Sequence, residues 1–338
     1  MKYSAIDLHS NNNVLVVTDD NDRVLVEKRL PNELDRVLEL LAPHKDELAG
    51  VVVESTYNWY WLVDGLMSAG YTVKLANTGA VKTYDGLKYS GDEADARHLA
   101  HLLRLGILPT AHICPPAARA IRDLARRRLQ LVRSRTSHIL SVENQLTRQT
   151  GGHIRSNDVK RLKADGVAAL GLPDDVALGM NANVAVIRTL GDEIEKLEAR
   201  LLEACVPMSG WDLINSIPGI GRVLATIILL EVGNIARFPD VGDFASYARC
   251  VDSKRMSNGK KKGEGNSKNG NKYLAWAFVE AAHFAARFCP EAKRFYARKF
   301  AKTNGAVATK ALAHKLARAC YHILKTGQPF DVKRCFAG

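Results

Sequence analysis

"AIDLHSNNNVLVVTDD", Ala5 to Asp20, decides how the first third of the chain is read. An apolar run stops at the polar turn Ser10 to Asn13 and resumes at Val14, and a third run follows the Asp19 to Asp22 turn. Three antiparallel strands in a meander are therefore expected over Ser4 to Leu8, Val14 to Thr18 and Arg23 to Leu30. Asp7 interrupts the first run. A carboxylate on a strand that is about to be buried either caps a turn or holds a metal, and the second role needs further carboxylates from elsewhere in the chain.

Beyond Leu30 the hydrophobic period changes. Asn32 is placed to cap a helical pattern running through Leu41, and Gly50 to Glu54 is a β-branched run typical of a buried strand. Trp59 to Met67 is helical, Tyr71 to Ala76 strand-like, and Asp92 to Leu105 an apolar-periodic helix. The order βββαβαβα predicts an α/β domain, a mixed sheet with helices on its faces. In ribonuclease-H-like sheets of this order the first and fourth strands are neighbours, which by fold-level analogy puts Asp7 beside Glu54. "GDEADARHLA" adds Asp92 and Asp95, spaced to share one face near a helix start.

Four carboxylates at one sheet edge repel each other unless a cation stands between them. Hard oxygen ligands in an incomplete cage suit Mg²⁺ or Mn²⁺, whose shell phosphate oxygens would complete. The chemistry expected is phosphodiester cleavage or transfer. Taken singly, each acid has a simpler explanation: Asp92 as a helix cap, Asp95 as a first-turn acid, Glu54 as the end of a strand. The combination with the strand order favours the metal. His9 and His98 are read as supports of the acids, since carboxylates suffice for a hard ion.

From about Pro115 the strands stop. Ala118 to Leu146 and Ala182 to Glu203 are long amphipathic helices around a glycine-containing loop, which suggests an antiparallel hairpin or coiled coil. The first is dense in arginine; Arg126 and Arg127 are candidates for backbone contact with nucleic acid, against the alternative of a solvated helix face. From Trp211 the chain is again globular and largely helical.

The 338 residues carry 48 Lys and Arg against 36 Asp and Glu, a net charge of +12, which calls for a polyanionic partner. Nucleic acid leads over an acidic membrane because the basic residues are scattered. No run reaches the roughly 18 apolar residues of a membrane span, and no basic-then-apolar secretory leader opens the sequence, so a cytoplasmic protein is expected. The six cysteines lie far apart with no CxxC pair, against both a zinc module and a disulfide framework.

"SIPGIGRVLATIILLEVG" has the turn of a helix-hairpin-helix. Gly219 and Gly221 permit a tight turn with exposed amides ahead of Arg222, an arrangement that binds phosphate without reading sequence. A plain interhelical turn is the alternative. In "SKRMSNGKKKGEGNSKNGNKYLAW", Arg255, Lys260 and Lys261 surround Ser257, with Ser267 further on. Cations beside a serine lower the cost of its alkoxide and stabilise a phosphorane-like state. The residues alone leave open whether the serine attacks or only binds phosphate, and a disordered basic linker is the compositional alternative.

"AIDLH", "VVVEST", "GDEADARHLA", "SIPGIG", "RFPDVGDFASYARCV", "SNGK" and "SKNGNKYL", in this order over nearly the whole chain, resemble the DEDD transposases of insertion-sequence family one-ten, bridge-RNA-guided serine recombinases. The resemblance implies a RuvC-like DEDD domain over 1–114, a coiled-coil linker over 115–206, and a C-terminal transposase domain with helix-hairpin-helix and serine loop over 207–338. It implies Asp7, Glu54, Asp92 and Asp95 as the catalytic acids and metal ligands, and Ser257, in the Ser-x-Gly-Lys position, as nucleophile. The implied reaction cleaves one DNA strand, holds a covalent 5′-phosphoserine, and rejoins donor to target DNA, with a noncoding bridge RNA pairing to both. This chain departs from the family at Cys250 to Ser253 and at Asn258, so Ser253 and Ser267 stay as alternatives to Ser257. Strand exchange implies a homo-oligomer, a dimer assembling to a tetramer on DNA, and a bacterial cytoplasmic protein associated with the nucleoid. The competing expectations are a RuvC-like endonuclease in which water attacks, and a noncatalytic nucleic-acid-binding protein.

Overall fold

The computed structural model describes residues 1–81, 91–251, 254–264 and 269–337. The chain divides into two compact units, Met1–Pro116 and Ala117–Gly338. The first boundary falls beside the expected one at 114, whereas the long helices and the C-terminal helices share the second unit.

The first unit is built on a mixed sheet of β1 (Lys2–Leu8), β2 (Asn12–Thr18), β3 (Val24–Pro31), β4 (Leu48–Glu54), β5 (Val73–Ala76) and β6 (Thr110–Ala111), with α1 (Leu34–Leu41), α2 (Tyr60–Ser68) and α3 (Asp92–Arg104). The spatial order is β3-β2-β1-β4-β5-β6. The first three strands pair antiparallel, while β1–β4 and β4–β5 are parallel. The first and fourth strands are thus neighbours, as expected, in a mixed α/β sheet consistent with a RuvC-like domain. The two-residue β6, antiparallel to β5, lies outside the expected order; it is too short to leave a periodic signal.

Alternation along the strands sorts the two faces. Ile6, Leu8, Leu15, Val17, Val51 and Val53 turn to one side and pack with Val37 and Leu41 of α1 and Leu62, Val63 and Leu66 of α2. Ala5, Val52 and Ala76 turn to the other and pack with Leu99, Ala100 and Leu103 of α3, and Val14 and Val16 meet Ala96. Alanines at 96 and 100 let α3 come close to the sheet. Asn32 does not cap α1: the capping position is Glu33, without a side-chain bond. The Asn32 amide instead donates to the His9 carbonyl at 3.0 Å and accepts from Asn13 at 3.2 Å, tying the meander's turn to the end of β1.

The second unit is helical apart from one hairpin. Its elements are α4 (Pro116–Thr150), α5 (Ser156–Val159), α6 (Ala164–Ala168), α7 (Asp174–Cys205), α8 (Trp211–Asn215), α9 (Arg222–Val232), α10 (Val241–Tyr247), β7 (Lys254–Ser257), β8 (Lys260–Glu264), α11 (Lys272–Phe288), α12 (Pro290–Phe300), α13 (Gly305–Thr326) and α14 (Val332–Phe336). Helices α4 and α7 run antiparallel: Arg128 Nε donates to Glu198 at 2.8 Å and His138 meets Asn183 at 2.8 Å. Where a simple loop was expected between them, α5 and α6 place Val159 and Val167 against Ile139, Val142, Met180 and Val184. A larger core joins α9, α11 and α13 around Phe244, Phe278, Leu312 and Leu316. Among the described residues no helix is long and apolar enough to cross a membrane.

Candidate metal centre and nucleic-acid interface

The strand alternation that buries Ile6 and Val53 on the α1–α2 side turns Asp7 and Glu54 to the α3 side. The parallel register Ala5–Val52 and Ile6–Val53 sets the two acids side by side at the ends of β1 and β4. Helix α3 begins over that edge, with Gly91 at the cap position, Asp92 as its first residue and Asp95 one turn on. Asp92 therefore makes no side-chain cap, and its carboxylate is turned to other partners.

Asp7 is buried, at 4% exposure, among apolar strand residues. Burial raises the Glu54 carboxyl to about 8, helped by a hydrogen bond to Asp7 and by the charges of Asp7 and Asp95. Burial likewise raises Asp95, as do Asp7 and Asp92. The four sequence-selected acids thus sit within electrostatic reach of one another. At neutral pH the Glu54 proton is what separates the negative charges in the absence of a cation.

His9 was read as a bystander, and its position is closer than that. Its Nε2 lies 3.3 Å from Asp7 Oδ2 and 3.2 Å from Asp92 Oδ2. This buried nitrogen makes no hydrogen bond with acceptable geometry to either. Asp7, His9 and Asp92 each offer a ligand atom, all within 4.8 Å of one another. The His9 backbone is pinned by amides of Asn32 and Asn58, at 3.0 and 2.9 Å from its carbonyl oxygen. His98, one turn after Asp95 on α3, adds positive potential there. An orphaned buried nitrogen aimed between carboxylates, beside an acid held protonated, is a donor set that a divalent cation fits.

Arg29 is a site residue that the sequence reading missed. Its Nη2 donates to Asp92 Oδ2 at 2.7 Å and to Glu93 at 3.2 Å, and this guanidinium holds Asp92 below the usual carboxylate range. The signal was the two-residue period of β3: Glu27 and Arg29 share a face, and Glu27 takes Arg97 from α3. Val14 pairs with both Asp7 and Arg29, so the three form one cross-strand row.

In the second unit, Ser257 closes β7 and pairs with Lys260 across the turn Asn258–Gly259. Both turn residues have positive φ, 48° and 70°, the signature of a type I′ hairpin. The basic stretch is thus a β-hairpin with an exposed serine and an exposed Lys260 at its tip, not an unstructured linker. An Asn-Gly pair flanked by strand-compatible residues was the available signal. Arg255 and Lys261 lie on its strands, and Ser253 and Ser267 fall outside the described residues.

Gly219 has φ +84°, and a Cβ there would come within 2.1 Å of the Ala281 carbonyl oxygen. That glycine serves the approach of the turn to α11. Gly221 and Arg222 stand exposed at the start of α9 and remain the candidates for phosphate. Arg126 does not face solvent as a nucleic-acid contact would. It pairs in a bidentate fork with buried Glu231, at 2.7 and 2.8 Å, and covers the Tyr273 ring at 4.5 Å. Glu231 also accepts from Asn271 at 2.7 Å. Arg127 is exposed, bonded to Gln130 at 2.9 Å, and keeps its positive charge available.

Two family profiles match the chain: one described as "Transposase" over residues 5–150, and one described as "Transposase IS116/IS110/IS902 family" over residues 211–297. A mini-circle putative transposase for IS117 of Streptomyces coelicolor is 25% identical, with 99% of this chain and 96% of that protein aligned. An uncharacterized 43.6 kDa protein of insertion element IS110, also of Streptomyces coelicolor, is 28% identical over 47% of this chain and 38% of its own length.

Proposed function

We propose, for a chain that is an insertion-sequence transposase of the IS110 family, that DNA strands are cut and rejoined by Ser257 with a divalent metal held by Asp7, Glu54, Asp92 and Asp95. The observation that carries this reading is the protonated Glu54 beside Asp7, a carboxylate cluster poised to exchange a proton for a cation. Bound there, Mg²⁺ or Mn²⁺ would neutralise phosphate oxygens and offset the gathering charge of the displacement. The protein's own residues do the rest. Arg29 orients Asp92, the two asparagine amides fix His9, and buried strands keep Asp7 from turning away. Ser257 Oγ would form its bond to phosphorus as the P–O3′ bond breaks. The serine proton passes to solvent, the freed 3′ oxygen takes up a proton, and a 5′-phosphoserine is left. Attack by a 3′ hydroxyl of a second strand reverses these steps and joins donor to target.

The positive charge of the chain suits both DNA duplexes and a noncoding bridge RNA that would supply sequence by base pairing. Gly221, Arg222, Arg127, Arg255, Lys260 and Lys261 are the proposed backbone contacts. Exchange between two DNAs needs more than one cleavage centre, hence a dimer that assembles to a tetramer.

The test is recombination of matched donor and target DNA with the element's RNA and Mg²⁺. Asp7→Ala and Ser257→Ala should each abolish strand transfer, and Ser257→Ala should also abolish the covalent protein–DNA adduct. Continued nicking by Ser257→Ala would instead favour water as the attacking group. Undiminished strand transfer by Asp7→Ala would overturn the metal assignment.

A further inference from the structure

We infer that the groove between α13 and α14 is a binding site for one nucleotide of a single nucleic-acid strand, its phosphate held by Arg318, Arg334 and Lys315 and its base laid against Phe330. The inference rests on the transposase reading above and adds a contact which that reading does not require.

The groove encloses about 300 Å³, at the lower end of the range for small-ligand pockets and near the bulk of one nucleotide. One wall is a single face of α13, where Lys315, Arg318, His322 and Thr326 recur at helical spacing; the other is the Gln328–Phe330 connection and α14. Three cationic side chains line it against one carboxylate, Asp331. That carboxylate is already engaged, its Oδ1 accepting from the amides of Lys333 at 2.9 Å and Arg334 at 3.1 Å.

Among the described residues neither Arg318 nor Arg334 pairs with an acid, in a chain whose other guanidinium groups often do. Lys315 is fixed by ring faces, its Nζ 5.1 Å from Phe295 and 5.9 Å from Phe336, and so keeps its charge unneutralised. Partial burial and the charges of Arg318 and Arg334 hold His322 below the ordinary histidine range. Cations gathered into one concavity without a counter-charge are stabilised by an incoming anion. A phosphate alone would leave unused the apolar part of the lining, Ile323, Pro329 and Phe330. A base stacked on an aromatic floor beside a basic wall is how sequence-tolerant single-strand sites are built. A stacked duplex offers no free base face to such a floor.

Fluorescence anisotropy of the full chain with short labelled oligonucleotides tests this, using single-stranded DNA, single-stranded RNA and duplex DNA of equal length. Arg318→Ala/Arg334→Ala, both at exposed positions, should weaken single-strand binding about tenfold or more. It should also flatten the log–log salt dependence by roughly 1.4, about 0.7 for each lost phosphate contact. Phe330→Ala should weaken single strands more than duplex. The single strand that loses most, DNA or RNA, identifies the source of the nucleotide. A control pair of exposed cations outside the groove, Arg287→Ala/Lys325→Ala, should cost less than the groove pair. Equal losses for the groove and control pairs, or unchanged binding in the groove pair, overturn the groove while leaving the transposase reading standing. Failure of the unmutated chain to bind any nucleic acid overturns both.

Discussion

Glu54 is the residue whose ionisation sets the behaviour of the candidate centre. Its folded-state value, about 8, stands above its ordinary one near 4.5, so the folded protein binds a proton there that the unfolded chain has lost. The stabilising contribution is complete below the unfolded value and is lost as pH rises through the folded one. In the presence of EDTA the first unit should melt at lower temperature at pH 8.5 than at pH 6, by an amount on the order of 1–2 kcal/mol once solvent screening of a half-buried group is allowed for. Glu54→Gln should remove most of that slope in a thermal-shift series, and an unchanged slope would show that another group controls it. Glu231 poses the opposite problem, a buried acid already paired. Glu231→Ala would strand Arg126 beneath Tyr273 and cost about 3–5 kcal/mol in a denaturant titration, whereas an exposed arginine such as Arg127, changed to Ala, should cost almost nothing. The acids were legible in the sequence because strand period and helix spacing both point to one edge. Arg126 was misread because a basic run looks alike whether its partner is a nucleic acid or a glutamate a hundred residues away. Arg29 was missed because its partner sits on a different element.

At the scale of elements, the turn before α9 is the most constrained. Gly219 has left-handed backbone geometry, and its α-carbon lies against the backbone of Ala281 and Ala285 on α11. Gly219→Ala should therefore destabilise the second unit by about 3 kcal/mol or more, and Gly221→Ala, with open space around it, by much less. Denaturant midpoints of the two variants check this, and equal losses would refute it. The order of strands and the antiparallel path of α4 and α7 were readable because long periodic segments carry their own signal. Two short features were not. Helices α5 and α6 span too few residues to show a period, and β6 is defined by its pairing with β5, not by its sequence. The serine hairpin was readable in principle, from Asn258–Gly259, but glycine and lysine content drew the eye toward a linker.

Across the whole molecule, two hydrophobic cores without shared members imply two responses to solution conditions. Calorimetry of the full chain should resolve a transition that Mn²⁺ moves upward and one that it leaves in place, and a uniform shift of both would argue that the ion binds elsewhere. The net charge of +12 adds that nucleic-acid affinity should fall steeply with salt. The stem of the serine hairpin carries a wider consequence. Arg249 donates to the Gly270 carbonyl at 3.0 Å and the Asn271 amide to Tyr247 at 2.6 Å, so the chain leaves and re-enters the helical core through a single clasp. A segment anchored in that way behaves as a cassette: evolution, or an experimenter, could exchange its length and chemistry between related proteins while the framework that carries it stays unaltered.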